Sequence, residues 1–165
     1  MKNLDEKMWK PSVVNEIFNT INATKGKTTG QLIAGGDVPY IAAAKTNNGC
    51  AGIYSSKPYP EWVSEGNAIV FVQLGDGAAV AYYIPMPFIG MSGKTSCGYF
   101  HDLNKDNGIF IARCLSANKA IFSHGHSWTG KRLKKTKFML PVTDFGEPDY
   151  EYMTEYTRQK REAML

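Results

Sequence analysis

The chain has 165 residues, 43% of them hydrophobic and 21% charged, with 19 Lys and Arg against 15 Asp and Glu. At this length roughly 70% of the unfolded surface can be buried around one core, which excludes a second core of similar size, and the composition excludes a disordered, collagen-like or coiled-coil chain. The net charge of +4 says little about partners, but it is unevenly spread: residues 131–137 hold five cations in seven positions, and 144–155 hold five acids and no cation.

A single domain is expected over 1–165, with its core at about 9–156. From Ser12 to Asn22 two readings stay open. Val13, Val14, Ile17, Phe18 and Ile21 have helical spacing, yet their β-branched content also suits a short turn feeding a strand. Thr24–Gly30 is a polar loop, and Gly35-Gly36-Asp37 is a break before a strand at Val38–Ile41, entered through Pro39. Asn47-Asn48-Gly49 predicts a turn, because these residues tolerate positive φ. The apolar runs Ala68–Leu74 and Ala78–Ile84 form a hairpin around Gly75-Asp76-Gly77, and Pro85 and Pro87 end it. A strand follows at Thr95–Leu103. Asn104 and Asp106 then start a helix that runs to about Ile121. Lys137–Val142 is the last strand, and Pro148 and Asp149 open a terminal helix over about 148–163. Its apolar side is Tyr152, Met153 and Tyr156, and its last turns are basic, as the helix dipole favours. The fold class is α+β: a compact domain with a twisted, largely antiparallel sheet, a central helix and a C-terminal helix.

Residues 66–93 contain one charge, Asp76, but prolines, glycines and Gln73 interrupt them, so they make no membrane span. Acids stand in the N-terminal segment where a signal peptide places its apolar core, and Cys50, Cys97 and Cys114 suit reduced thiols. A cytoplasmic setting is expected.

Gly26-Lys27-Thr28 and Gly93-Lys94-Thr95 imitate the end of a phosphate-binding loop, but Ile21 and Phe88 occupy the position of the motif's first glycine. Cys97, His101, Cys114, His124 and His126 can bind zinc chemically, but they lack paired spacing. No nucleophile elbow occurs, and no set of carboxylates suggests a magnesium site. The remaining informative stretch is 122–135, where His124, His126, Trp128, hydroxyls and glycines directly precede Lys131, Arg132, Lys134 and Lys135. Cations there neutralise phosphates while Ser, Thr, His and Arg read base edges. The competing reading is a surface loop whose Trp128 packs on the core.

The order of segments then becomes informative. Ile17-Phe18, the Lys25–Thr28 loop, Gly36–Ile41, Asn47–Gly49, Pro87-Phe88, Phe110-Ile111-Ala112, Leu140-Pro141-Val142 and Gly146–Tyr150 with Met153 together resemble the target recognition domain. This is the DNA-reading module of specificity subunits in type I restriction-modification systems and of related fused restriction-methylation enzymes. The resemblance spans about Trp9–Tyr156.

It implies a non-catalytic domain that reads a few base pairs of double-stranded DNA and confers target specificity on partner methyltransferase and endonuclease subunits. It places S-adenosylmethionine on a modification subunit and cleavage on a restriction subunit, leaving this chain without a cofactor or metal. It also implies pairing with a second recognition domain, or self-association, to read both halves of a bipartite target, because the terminal helix is shorter than the family's long spacer helices. The expected DNA contacts are Lys25, Lys27, Thr28, Asn47, Asn48, Ser92, Lys94, His124, His126, Lys131, Arg132, Lys134 and Lys135. The alternative function is a protein-interaction module that binds a restriction or modification enzyme and inhibits or redirects it.

Overall fold

A computed structural model describes residues 1–75, 78–117 and 127–165. In chain order the strands are β1 (Trp9–Val13), β2 (Thr20–Ala23), β3 (Ala34–Ile41), β4 (Cys50–Tyr54), β5 (Val63–Ser64), β6 (Ala68–Val72), β7 (Val80–Ile84), β8 (Phe88–Gly90), β9 (Thr95–Tyr99) and β10 (Lys137–Pro141). The helices are α1 (Val14–Ile17), α2 (Lys105–Ser116), α3 (Gly130–Lys135) and α4 (Tyr150–Glu162).

Strand β6 explains the layering. All five of its residues are buried, which requires cover on both faces. Ile69 and Phe71 face a cluster built by α2, α4, Trp128 and Leu133, whereas Ala68 and Val70 face Ile41, Phe88 and Cys97. That alternation is the period of two of a pleated strand. β6 belongs to a four-stranded sheet ordered β2-β9-β6-β7, and behind it lies a second sheet ordered β4-β3-β8-β5. A β1–β10 ribbon completes the set. The pairings are antiparallel except β3 with β8, so the expected antiparallel architecture holds, divided among three sheets instead of one.

The β6–β7 hairpin forms as predicted, with Ala68 opposite Ile84 and Val72 opposite Val80. Three expectations change. Ser12–Asn22 resolves as the single turn α1 followed by β2. Gly35-Gly36-Asp37 is a bulge within β3, not a break before it, since Ala34 and Val38 both pair with Tyr54. A Cβ at Gly36 would collide with the backbone of Tyr54 and Ser55, so only glycine lets the strands meet there. The strand at Thr95 ends at Tyr99 instead of Leu103, because Phe100 turns away to stack on Tyr150. Asn107 then holds the Asp102 carbonyl through its side-chain amide, 2.8 Å away.

Helix α2 starts as predicted. The Asn104 side chain accepts from the Asp106 and Asn107 amides at 3.0 Å, and Asn107 returns a bond to the Asn104 amide. Ala117 caps its other end, and the expected extension to Ile121 falls outside the described residues. Asp106 pairs with Arg161 of α4 at 2.9 Å.

Asp149 caps α4 by accepting from the Tyr152 amide at 3.0 Å, and it pairs with Lys7 at 2.6 Å. Burial alone would raise the Asp149 carboxyl, but the Lys7 and Tyr152 hydrogen bonds and the Lys7 charge outweigh it and hold the group below its ordinary value of 3.8. A depressed carboxyl contributes stability that is complete above its unfolded pKa and is lost as pH falls through the folded one. Asp149→Asn keeps a capping oxygen but loses the charge that faces Lys7, so it is expected to cost about 1–2 kcal/mol at pH 7 and less at pH 3, where the unfolded carboxyl, with its ordinary value of 3.8, is mostly protonated, compared by urea unfolding. An equal cost at both pH values would contradict this.

Candidate nucleic-acid interface

The register of the first sheet determines which loops meet. Ala23 lies opposite Ser96, Val72 opposite Thr95, and Val72 opposite Val80. The end of β2, the start of β9, the end of β6 and the start of β7 therefore share one edge.

At that edge the Lys25–Thr28 loop and the Ser92–Lys94 turn are joined. The Gly26 amide donates to the Gly90 carbonyl at 2.9 Å, and the Ser92 amide donates to the Gly26 carbonyl at 2.6 Å. Below them the buried hydroxyls of Thr24 and Thr95 are 2.6 Å apart, and the Thr24 hydroxyl also donates to the Thr95 carbonyl at 2.9 Å. The two segments that imitated phosphate-binding loops thus form one double loop on a threonine pair, with Lys25, Lys27, Thr28, Ser92 and Lys94 exposed. A Cβ at residue 26 would collide with Ile89 and lie 2.8 Å from the Gly90 oxygen. Gly26→Ala is expected to push the loop off β8, costing about 1–3 kcal/mol by thermal unfolding. An unchanged melting temperature would contradict so tight a seat.

The third segment reaches the same edge through Gln73. Its amide donates to the Lys94 carbonyl at 2.8 Å, and its carbonyl accepts from the Trp128 amide at 3.1 Å. Trp128 is fully buried, meets Phe71 edge-on, and donates from Nε1 to the Thr136 hydroxyl at 2.7 Å. The surface-loop reading was right about Trp128 as an anchor, and that anchor is what presents the cations. Thr136 in turn donates to the Arg132 carbonyl at 2.8 Å. Between these two anchors α3 inserts Leu133 into the core and leaves Lys131, Arg132, Lys134 and Lys135 exposed. Arg132, Lys134 and Lys135 stand in its last turn, where the helix dipole favours cations. None of the four forms an ion pair among the described residues. His124 and His126 lie outside the described residues.

Asn47 and Asn48 do not join this group. Both have positive φ, as a turn requires, and the Asn48 amide donates to the Tyr83 carbonyl at 3.2 Å on the free edge of β7. The connection meets the shared edge at Ala43, against Gly75.

Cys97 and Cys114 are free, and burial raises both thiols, Cys114 to about 12, so neither supplies a thiolate nucleophile near neutral pH. His101 is exposed beside Asp102, and no three metal-ligating side chains converge among the described residues. No helix among those residues is long and apolar enough to cross a membrane.

Residues 6–163 match the family described as the type I restriction modification DNA specificity domain. Over 157 residues the chain is 25% identical to the type II restriction enzyme specificity subunit S.BcgI of Heyndrickxia coagulans, covering 94% of this chain and 44% of that subunit. Its fold is similar to a type I restriction-modification system S subunit from M. genitalium, with a TM-score of 0.64 and 14% identity over 97% of this chain and 41% of that one. It is also similar to the HsdS subunit from Thermoanaerobacter tengcongensis, with a TM-score of 0.63 and 11% identity over 94% and 38% of the two chains. The chain spans less than half the length of these relatives.

Proposed function

The chain belongs to the type I restriction modification DNA specificity domain family, and we propose that it reads double-stranded DNA with the loops gathered at the shared edge of its first sheet. The observation that carries this reading is the convergence of three separate polar segments on one edge. Each is fastened by buried residues and each turns cations outward. Lys25, Lys27, Lys94, Lys131, Lys134 and Lys135 neutralise phosphates, while Thr28, Ser92 and Arg132 contact base edges. Fastened loops suit readout, because their ordering cost is met on folding instead of on binding.

On this reading the chain performs no bond chemistry. It confers target specificity on a modification subunit that uses S-adenosylmethionine and on a restriction subunit, and it pairs with a second recognition domain to read a bipartite target in the cytoplasm. Fluorescence anisotropy against a pool of random duplexes, over a series of salt concentrations, tests the reading. With about four to six phosphates neutralised, log affinity falls against log salt with a slope near minus four to minus five. No binding at low salt, together with co-purification of a modification subunit, would replace DNA reading with a protein-interaction role.

A further inference from the structure

Two side chains below the double loop set its internal spacing. Thr24 directly precedes the Lys25–Thr28 loop and Thr95 directly follows the Ser92–Lys94 turn, so each stands at the root of one loop. They are 3% and 1% exposed, too deep to touch DNA themselves. Their hydroxyls are 2.6 Å apart. Whichever donates to the other, the second hydrogen has a carbonyl to go to: that of Met91, 3.0 Å from the Thr95 hydroxyl, or that of Thr95, 2.9 Å from the Thr24 hydroxyl. Neither carbonyl depends on the pair. Met91 already accepts from the Lys94 and Thr95 amides at 3.2 and 3.1 Å, and Thr95 from the Thr24 amide at 3.3 Å.

What the hydroxyls supply is a distance. Two methyl groups in contact stand about 3.8 Å apart, so the hydrogen bond draws the roots of the two loops about 1 Å closer than apolar side chains of the same shape allow. A hydrogen bond to a base edge tolerates a few tenths of an ångström, whereas attraction to phosphates acts over about 8 Å at physiological salt. A shift of about 1 Å at the roots therefore changes what the loops read and leaves the charge they present unaltered. The third segment is held separately. Ser96 faces the other side of β9 and donates to the Gln73 side chain at 2.8 Å, and the Gln73 carbonyl holds Trp128 ahead of α3.

We propose that Thr24 and Thr95 are positioning residues for DNA reading, which set the sequence preference of the Lys25–Thr28 and Ser92–Lys94 segments without contacting DNA. This rests on the DNA-reading function above and adds to it residues that decide preference but not affinity for random sequence. The test enriches duplexes from a randomised pool with wild type and with the Thr24→Val, Thr95→Val double variant, and measures the salt dependence of binding for each. The double variant is expected to bind random duplex with wild-type affinity and slope, because no cation is removed. Its discrimination falls about tenfold or more at some base pairs of the motif and is kept at those read from α3. Thr24→Ser with Thr95→Ser, which keeps both hydroxyls, retains the whole motif. Asp149→Asn, destabilised away from the loops, retains it too. Thr95→Val alone, a smaller disturbance, loses the same base pairs to a lesser degree and decides the matter if the double variant does not fold. Absence of any motif with wild type would refute the reading itself. A wild-type motif preserved in the folded valine variants would refute the positioning role alone. So would loss of the motif in the serine pair or in Asp149→Asn, since preference would then follow stability.

Discussion

Replacing Trp128 by alanine is expected to destabilise the fold by about 3–5 kcal/mol, lowering the melting temperature by roughly 10 °C for a domain of this size. The indole is fully buried, it meets Phe71 with ring centroids 5.5 Å apart, and its N–H satisfies the Thr136 hydroxyl. Truncation leaves a cavity where the α2 face of the sheet meets the segment leading into α3. The effect should extend to binding, because the same indole fixes the entry to α3 while Leu133 and Thr136 fix its exit. Trp128→Phe preserves much of the buried surface and leaves Thr136 bonded to the Arg132 carbonyl, so it is expected to lose only about a third as much. Thermal unfolding of the three proteins checks this. A Trp128→Ala melting point within about 2 °C of wild type would show that the indole is no anchor.

Changing Lys131, Arg132, Lys134 and Lys135 together to glutamine should produce the opposite pattern. Stability is expected to move by less than about 0.5 kcal/mol, since all four are exposed and form no ion pair among the described residues, and α3 is held by its neighbours. Affinity for duplex DNA at near-physiological salt is expected to fall about a hundredfold or more, with a salt slope shallower by about two to three. Matched unfolding curves and anisotropy titrations separate the two effects. Undiminished binding in a folded variant would remove α3 from the interface.

The contrast between these two substitutions follows how much of the molecule was legible in its sequence. The β6–β7 hairpin was readable because two apolar runs flank a glycine-rich turn, and α2 and α4 were readable because Asn104 and Asp149 are strong caps. Strands β1, β4, β5 and β8 were missed. They are short or polar, and their pairing depends on long-range partners, as with Ile89 opposite both Tyr40 and Val63. Helix α3 was hidden for a related reason. With Leu133 as its one buried residue it shows no periodicity, and its cations read as a loop. In the same way Gly36 looked like a break because glycine in sequence does not say whether it ends a strand or lets two strands approach.

The polar segments of the interface were found individually, since each lies between apolar runs. Their meeting was not readable, because it depends on β9 lying between β2 and β6, a pairing of distant segments with no local signal. Asn47 and Asn48 were grouped with them through the family resemblance, whereas the fold turns Asn48 to the edge of β7. Gln73 drew attention only as an interruption of an apolar stretch, yet it links the Lys94 turn to Trp128.

The central claim is that the gathered loops read sequence instead of merely attracting a polyanion. Sequencing the duplexes that the wild-type chain retains from a randomised pool at near-physiological salt tests it most directly. The account predicts enrichment of one motif a few base pairs long, whereas a retained pool as random as the starting one, bound through charge alone, would contradict it.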